Sequence, residues 1–340
     1  MRRNPDKIGT AIASHGREKM INWSRLIGQN QAIELLQRAL EVNSIAPAYL
    51  FAGAKGIGRN LAAKCFCQDL LTRDRSPETR ELILKRFLGG NHPDLLWIEP
   101  TYQHQGKLLT AKEAQESNLK RKAPPQIRIE QIREITNFLS RPPLESARSV
   151  VVIEEADTMT ESAANALLKT LEEPGKATLI LIAPSPSSLL PTLVSRCQHI
   201  PFQRLSEENL AQVLRSNGNA RVLNYPAILG LAQGSPGEAI AALEFLDSLP
   251  QDLPRSFSKF PLKLSQALEL AKIIAQTLDT ETQLWYVSYL QYEDWQRRRE
   301  RSILEILEKT RRQLLAYVQP RLVWECTFLA LAKLSTAQKS

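Results

Sequence analysis

Cysteine is scarce in this sequence: the 340 residues contain four, Cys65, Cys67, Cys197 and Cys326. They are too scattered for a disulfide framework and favour a reduced, cytoplasmic setting. The C-x-C pair at 65 and 67 has no second pair downstream, so no structural zinc site is expected. No run of about 18 apolar residues occurs, and the first residues lack an apolar signal-peptide core. The sequence therefore predicts neither a membrane span nor a secreted, disulfide-stabilised domain.

The composition fits a packed globular protein with an uneven distribution of charge. Hydrophobic residues make up 43% and charged residues 24%, and the net charge is +8. Residues 1–25 and 295–312 each carry a net charge of +4. Such clusters occur on solvated helix faces and on surfaces that bind nucleic-acid phosphates, and the sequence leaves both interpretations open. In the second cluster, Arg297, Arg298 and Arg299 are candidate DNA contacts.

Short apolar runs alternate with helical patterns between residues 21 and 203. The predicted strands are Ala48–Ala52, Leu95–Ile98, Val150–Ile153 and Leu179–Ile182. The predicted helices are Gln31–Val42, Arg59–Leu71, Glu130–Ser140 and Glu161–Glu173. Thr158 and Glu161 have capping-box spacing and are expected to begin the last helix. This alternation predicts an α/β domain whose mostly parallel sheet is covered on both faces.

The remaining segments suggest further divisions of the chain. Residues 1–20 are polar and are expected to be a disordered or artefactual extension. Thr101–Pro125 is long and polar, and is expected to be a surface insertion in the α/β domain. A small helical domain is predicted over residues 204–249, broken near Gly234–Gly237, and a proline-containing linker follows. Residues 262–335 show only helical patterns and predict an all-helical third domain.

A glycine-rich segment follows the first predicted strand and opens a helix, as a phosphate-binding loop (P-loop) does. It reads Gly53-Ala-Lys-Gly-Ile-Gly58-Arg59-Asn60. A working P-loop reads G-x-x-x-x-G-K-[ST], in which the lysine meets the phosphates and the hydroxyl holds Mg²⁺. The glycine spacing is kept, but Arg59 replaces the lysine and Asn60 replaces the hydroxyl residue. Arginine is bulkier and planar, and it does not substitute for lysine in a tight phosphate site.

A second motif is an apolar strand that ends in two carboxylates, Val150-Val-Val-Ile-Glu154-Glu155-Ala-Asp157. A Walker B strand has this form: its first acid helps to hold Mg²⁺, and its second polarises the attacking water. Glu154 stands where aspartate is usual, and its longer side chain shifts the carboxylate by about one C–C bond. An ordinary strand with a charged end has the same appearance, so this motif alone is weak.

Longer segments carry a family resemblance. Val150–Pro174 closely resembles the Walker B strand and following helix of the γ/τ and δ′ subunits of bacterial DNA polymerase III clamp loaders. Leu189–Cys197 resembles their Ser-Arg-Cys segment, and Asn91–Asp94 and Ile127–Ile135 also look familial. Gly234–Gly237 stands where their lid domain carries its second sensor. The resemblance implies an AAA+ P-loop-type α/β domain, then a helical lid domain and an all-helical collar domain used for oligomerisation.

This family contains ATP-hydrolysing γ/τ-like subunits and δ′-like subunits that do not hydrolyse ATP. The residues of the ATP site imply the second class. Arg59 and Asn60 depart from the P-loop pattern, and Glu154 departs from the Walker B pattern. The first-sensor region reads Ala183-Pro-Ser185, without the usual threonine or asparagine, and the second-sensor arginine falls at Gly237. Four departures in one site imply that the site has been abandoned.

Arg196 keeps the arginine of the Ser-Arg-Cys segment. In the family this side chain enters the adjacent subunit's ATP site as an arginine finger, so the resemblance implies a catalytic role in trans. The implied partners are γ/τ and δ subunits and, through the complex, the sliding clamp and primed DNA; no membrane partner is implied. ATP and Mg²⁺ would be bound by the partner subunits. Relatives commonly carry a four-cysteine zinc module, but residues 68–90 contain no cysteine, and no cofactor or metal is expected.

Other interpretations remain open from the sequence. Glu155 and the glycine spacing are compatible with an ATP-hydrolysing γ/τ-like motor subunit that has a divergent P-loop. Arg196 is also compatible with a structural ion pair. The basic segment from Trp295 to Arg312 is compatible with direct DNA binding, which could accompany the δ′-like role.

Overall fold

The computed structural model describes residues 22–116, 124–250, 253, 264–297 and 299–337. The predicted extension over residues 1–20, most of the predicted linker and Arg298 lie outside these ranges. Contacts between Cα atoms divide the chain into two compact units, with the boundary between Asn209 and Leu210. No helix in the described ranges is both long and apolar enough to cross a bilayer.

The first unit contains seven strands and seven helices among its described residues. The strands are β1 (Ala48–Ala52), β2 (Leu95–Ile98), β3 (Tyr102–His104), β4 (Lys107–Leu109), β5 (Ser149–Ile153), β6 (Ala177–Ala183) and β7 (Gln198–Pro201). The helices are α1 (Asn30–Glu41), α2 (Arg59–Thr72), α3 (Pro77–Leu88), α4 (Ala111–Glu116), α5 (Ile129–Leu139), α6 (Glu161–Glu172) and α7 (Pro191–Val194). All four predicted strands and all four predicted helices are present, with ends shifted by at most two residues.

Five strands form one parallel sheet in the order β2-β5-β6-β1-β7. Every residue of β1, β5 and β6 is buried, because helices cover both faces of the sheet. The predicted α/β class is confirmed. Since all five strands run in the same direction, the sheet has a carboxyl edge, where the strands end, and an amino edge, where they begin.

The expected capping box at the start of α6 is wrong. Thr160 is the N-cap residue, and its hydroxyl accepts a hydrogen bond from the Ala163 N–H at 3.3 Å. Thr158 belongs to a short 3₁₀ turn, Ala156–Thr158, and its hydroxyl donates to the Glu155 carbonyl at 2.7 Å. A side chain engaged in the preceding turn cannot cap the helix, so the capping role falls to the next threonine.

The insertion Thr101–Pro125 contains regular structure within its described residues. β3 and β4 pair as an antiparallel hairpin, and α4 follows them. The base of the insertion is closed by backbone hydrogen bonds between Thr101 and Gln126, both at 3.0 Å. The Arg128 guanidinium donates to the Thr101 carbonyl at 2.7 Å and strengthens this closure. The insertion therefore leaves the carboxyl end of β2 and returns to a fixed base.

The second unit is helical throughout its described residues. Its helices are α8 (Glu207–Ser216, which contains the boundary), α9 (Pro226–Ala232), α10 (Pro236–Ser248), α11 (Leu264–Thr277), α12 (Thr280–Arg297), α13 (Arg301–Leu315) and α14 (Pro320–Ala337). The predicted break near Gly234 is confirmed between α9 and α10. Aromatic side chains, including Tyr286, Trp324 and Phe328, form the centre of the core that the last four helices share. The division of this region into a lid domain (204–249) and a collar domain (262–335) stays a prediction.

Candidate functional site

The glycine-rich loop lies at the carboxyl edge of the sheet, between β1 and α2. A Cβ atom on Gly53 would lie 2.6 Å from the Phe202 carbonyl oxygen, so no side chain fits at this position. Gly58 has a φ of +105°, and a Cβ there would also lie 2.6 Å from Leu26 Cδ1. Both positions therefore require glycine, one for close approach and one for its backbone conformation. The strand–turn–helix context of a P-loop is confirmed.

Arg59 occupies the position of the P-loop lysine, at the first residue of α2, and is buried with 6% of its surface exposed. Its charge acts on Asp157, one of the acidic residues that follow β5. Burial raises the pKa of Asp157, the nearby Glu155 adds to that rise, and Arg59 and Lys55 oppose it. The positive charge at this position therefore interacts with the Asp157 carboxylate of the same chain.

Glu154, at the Walker B position, receives two donors from its own chain. The Asn60 amide donates to Glu154 Oε1, and the Trp97 indole N–H donates to Glu154 Oε2 at 3.0 Å. Asn60 lies on α2, Trp97 on β2 and Glu154 directly after β5, so this bridge joins three elements. Mg²⁺ binds through oxygen atoms, whereas here N–H donors face both oxygens of the carboxylate. The residues at the metal position therefore do not fit a magnesium-nucleotide complex.

Glu155 is also engaged by the glycine-rich loop. Lys55 Nζ lies 2.8 Å from Glu155 Oε1, and the Lys55 side chain is 74% exposed. A pair this exposed contributes little stability, because solvent screens it. The Glu155 backbone is in the left-handed region, with a φ of +47°. The residue that would polarise the attacking water in a working site therefore forms an ion pair with the loop.

Further carboxylates and cations border this cluster. Burial raises the pKa of Glu99, and the negative charges of Glu154 and Glu155 add to that rise, while Lys64 opposes it. Lys64 Nζ lies 5.7 Å from the centre of the Trp97 ring, a cation–π distance. Sequence reasoning did not identify Trp97, whose role depends on the pairing of β2 with β5. Within the described ranges, no group of three or more His, Cys, Asp or Glu side chains could hold a metal ion.

The two sensor positions lack the side chains that the family resemblance predicts there. Ala183 ends β6 and is buried, and the Ser185 hydroxyl lies 2.8 Å from the Ser187 hydroxyl. Gly237 is the second residue of α10, in the second unit, and has no side chain. These observations agree with the predicted loss of the sensors, and the assignment of the degenerate site as a whole stays a prediction.

Arg196 lies at the other edge of the sheet. It follows α7 and precedes Gln198, the first residue of β7, which pairs in parallel with Tyr49 of β1. The glycine-rich loop follows Ala52, the last residue of β1. The five residues of β1 separate the two edges by at least about 13 Å, at about 3.3 Å per residue. The Arg196 guanidinium therefore cannot serve the loop of its own chain.

The Arg196 guanidinium contacts one carboxylate and one backbone carbonyl of its own chain. Nη2 lies 2.8 Å from Glu172 Oε1, and Nη1 donates to the Thr192 carbonyl at 3.0 Å. The Arg196 side chain is 37% exposed. Of its two chain neighbours, Ser195 donates its hydroxyl to the Thr192 carbonyl. Burial raises the pKa of the Cys197 thiol to about 11, which disfavours the reactive thiolate. Cys197 is partly buried, as a packing role requires, whereas Ser195 is exposed and its hydroxyl makes this local hydrogen bond.

Three arginines of the basic segment from Trp295 to Arg312 form ion pairs with nearby glutamates. Arginine side chains pair with glutamates four residues away at 2.8–3.3 Å, in the pairs Arg297–Glu293, Arg301–Glu305 and Arg312–Glu308. These acidic partners reduce the positive field and favour a solvated helix surface. Arg299 has a φ of +57° and lies between α12 and α13. DNA contact by Arg297 and Arg299 stays a prediction, and Arg298 lies outside the described residues.

Comparisons with known proteins cover both units. Residues 28–206 match the family model described as DNA polymerase III, delta subunit. Residues 208–331 match that described as cyanobacterial DNA polymerase III delta prime, C-terminal domain. The DNA polymerase III subunit delta' of Bacillus subtilis is 35% identical over 189 residues, which are 54% of this chain and 51% of that protein. The Pseudomonas aeruginosa subunit delta' is 34% identical over 224 residues, 63% of this chain and 57% of that protein.

Among solved structures, a DNA polymerase III gamma subunit-related protein from Thermotoga maritima has a TM-score of 0.51 at 18% identity. The match covers 89% of this chain and 99% of that one, and at this identity it supports the fold alone. The chain spans about half the length of the curated relatives it matches. The first family model covers more than half of the chain, and the second covers most of the helical region. The chain therefore belongs to the delta prime (δ′) subunit family of bacterial DNA polymerase III.

Proposed function

We propose that this chain is a non-catalytic δ′-like subunit of the DNA polymerase III clamp loader. In this role it supplies Arg196 to the ATP site of a neighbouring subunit while the sliding clamp is loaded onto primed DNA. Its partners are the γ/τ and δ subunits, and ATP and Mg²⁺ are bound by the neighbours. The chain itself hydrolyses no ATP.

One observation supports this proposal above the others: acidic side chains at the carboxyl edge of the sheet are paired within the chain, whereas a partly exposed arginine lies at the amino edge. At the carboxyl edge, Glu154 and Glu155 are engaged by Asn60, Trp97 and Lys55 of the same chain. At the amino edge, the Arg196 guanidinium is about one-third exposed and is too far from the loop to act in cis. A guanidinium at an exposed edge can neutralise the charge that develops during phosphoryl transfer in another subunit.

Reconstitution with γ/τ and δ subunits, the sliding clamp and primed DNA tests the proposal. Arg196→Ala is expected to leave assembly intact on size-exclusion chromatography. It should lower the stimulated ATP turnover by about tenfold or more, because an arginine finger contributes at least this much in phosphoryl transfer. Arg196→Lys is the matched control: it keeps the charge but loses the planar fork, and should give an intermediate rate.

Two outcomes would count against the proposal. Failure of the wild-type chain to assemble with γ/τ and δ subunits would remove the clamp-loader assignment. Normal assembly with unchanged ATP turnover in Arg196→Ala would remove the role in trans and leave Arg196 as a structural ion pair.

A further inference from the structure

Glu172 contacts the guanidinium on which the proposed function depends. The Glu172 Oε1 atom lies 2.8 Å from Arg196 Nη2, and the two side chains are 54% and 37% exposed. The Thr192 carbonyl accepts from Nη1 at 3.0 Å, so both terminal nitrogens are held. Each terminal nitrogen of arginine carries two N–H groups, which leaves further donors on the same nitrogens for a phosphate oxygen. The side chain is thus oriented without all of its hydrogen-bonding capacity being used.

The position of Glu172 in the fold makes this contact specific. Glu172 is the last residue of α6, whose 12 residues span about 18 Å. This helix connects the carboxyl end of β5 to the amino end of the parallel strand β6, so it must run back across the sheet. It begins shortly after Glu154 and Glu155 and ends beside Arg196. The carboxylate is therefore held at the amino edge by a regular, packed element whose Leu167 and Leu171 belong to the core.

The position of Glu172 at the carboxyl end of α6 is electrostatically unfavourable by itself. The carboxyl end of a helix carries partial negative charge, and a carboxylate in its last turn is unfavourable unless a cation compensates it. Arg196 supplies that cation at 2.8 Å. The guanidinium also donates to the Thr192 carbonyl in the short helix α7. Arg196 thus compensates the Glu172 carboxylate at the end of α6.

We propose that Glu172 is the positioning residue for Arg196, which it orients before a neighbouring subunit's nucleotide docks against the amino edge. This inference rests on the proposed function, because it assigns a partner within the chain to the trans-acting arginine. An unrestrained arginine side chain loses much rotamer freedom when it docks, and a preformed contact reduces that loss. Glu172 acts through Arg196 and contacts no reacting atom itself.

The test compares Glu172→Ala, Glu172→Gln and Glu173→Ala in the reconstituted complex. Glu173 is the matched control, because it is an exposed glutamate one residue further on. Glu172→Ala is expected to lower kcat of the stimulated ATPase about three- to fivefold, the scale of an exposed ion pair. The KM for ATP should not change, since the neighbour's own residues bind the nucleotide. Glu172→Gln keeps an acceptor oxygen and should recover part of the loss, whereas Glu173→Ala should match the wild type.

A double variant separates positioning from a general structural effect. Glu172→Ala combined with Arg196→Ala should be no slower than Arg196→Ala alone, because Glu172 acts only through the arginine. An unchanged or raised kcat in Glu172→Ala, with a clear loss in Arg196→Ala, would overturn the positioning role and leave the proposed function standing. If Arg196→Ala itself left turnover unchanged, the proposed function would fail first. Equal urea midpoints for the isolated variants would show that neither substitution unfolds the chain.

Discussion

The carboxyl and amino edges of the five-stranded sheet differ in how their charged side chains are used. At the carboxyl edge, the acidic residues that follow β5 contact donors and a cation from the glycine-rich loop and its neighbours. At the amino edge, Arg196 and Glu172 form a pair that is substantially exposed. The same parallel sheet carries both edges, so the contacts made at one edge do not restrict the exposure of the cation at the other. Substitutions at the carboxyl edge therefore need not alter the elements that hold Arg196.

The largest expected effect comes from reversing the substitutions at the carboxyl edge. The triple variant Arg59→Lys, Asn60→Thr and Glu154→Asp restores the P-loop and Walker B pattern. We expect it to bind Mg-ATP about a hundredfold more tightly than the wild type, because two charge-assisted contacts are regained. Isothermal titration with Mg-ATP would measure the change. Hydrolysis should stay absent, since the sensor positions are unchanged.

An equal affinity of the wild type and the triple variant for Mg-ATP would contradict this account of the carboxyl edge. Titration with ATP in the presence of EDTA is the control, because the gain should depend on the magnesium ion. Arg196→Lys is a second control, because Arg196 lies at the amino edge, away from the glycine-rich loop. This substitution should leave the affinity of the isolated chain for Mg-ATP unchanged.

A smaller effect is expected from removing the bridge between Asn60, Glu154 and Trp97. Glu154→Ala leaves the amide and indole donors without their acceptor, which should lower the free energy of unfolding by about 1–3 kcal/mol. Urea denaturation would measure the loss. Glu173 is an exposed glutamate that follows α6 at the amino edge of the sheet. Glu173→Ala should therefore change the free energy of unfolding by less than about 0.5 kcal/mol. A loss no larger in Glu154→Ala than in Glu173→Ala would show that the bridge contributes nothing.

The smallest expected effect concerns pH and the loop that precedes β2. His92 is buried, and this burial lowers its pKa; the Arg86 charge adds to the decrease, whereas Asp94 opposes it. Its Nδ1 accepts from the Asp94 N–H at 3.1 Å, and Glu145 Oε2 lies 3.7 Å from Nε2. Below pH of about 6.5 the unfolded chain takes up this proton before the folded chain does. The stability contributed by neutral His92 is thus fully present above pH of about 6.5, and it is lost as the pH falls through the lowered pKa of the folded state.

Urea titrations of the wild type and His92→Gln between pH 7.5 and 5 would check this expectation. The variant should show a shallower decline of stability with decreasing pH, because glutamine does not titrate. Parallel curves for the two proteins would remove the contribution of His92. The difference is expected to be smaller than that caused by Glu154→Ala.

Much of the fold was predictable because four strands are short apolar runs between polar or turn-forming residues. The alternation of these runs with helical patterns predicted a mostly parallel sheet, and the spacing of Gly53 and Gly58 predicted a turn between the first strand and its helix. β7 was missed because Ile200 is its one fully buried residue, so it shows no apolar run. The hairpin within Thr101–Pro125 was missed: its two-residue turn is Gln105-Gly106, whose φ angles are both positive, and the glycine was the one sequence signal for it.

The site was predictable only in part, for physical reasons. Residue identities at Arg59, Asn60 and Glu154 indicated a modified phosphate site, but not that the Asn60 amide and the Trp97 indole both donate to the Glu154 carboxylate. That finding depends on strand order, since β2 must pair with β5 before Trp97 can reach Glu154. The contact of Arg196 with Glu172 depends likewise on the path of α6 across the sheet. Sequence spacing alone does not give such long-range contacts.

Whether the purified chain alone hydrolyses Mg-ATP decides between a δ′-like subunit and an active motor subunit. Glu155→Gln is the reference, because it removes the carboxylate at the position that polarises the attacking water in a Walker B motif. The account predicts no turnover above that of Glu155→Gln at any magnesium concentration. Turnover at a rate typical of a competent motor subunit, abolished by Glu155→Gln, would contradict it and would support an active γ/τ-like subunit instead.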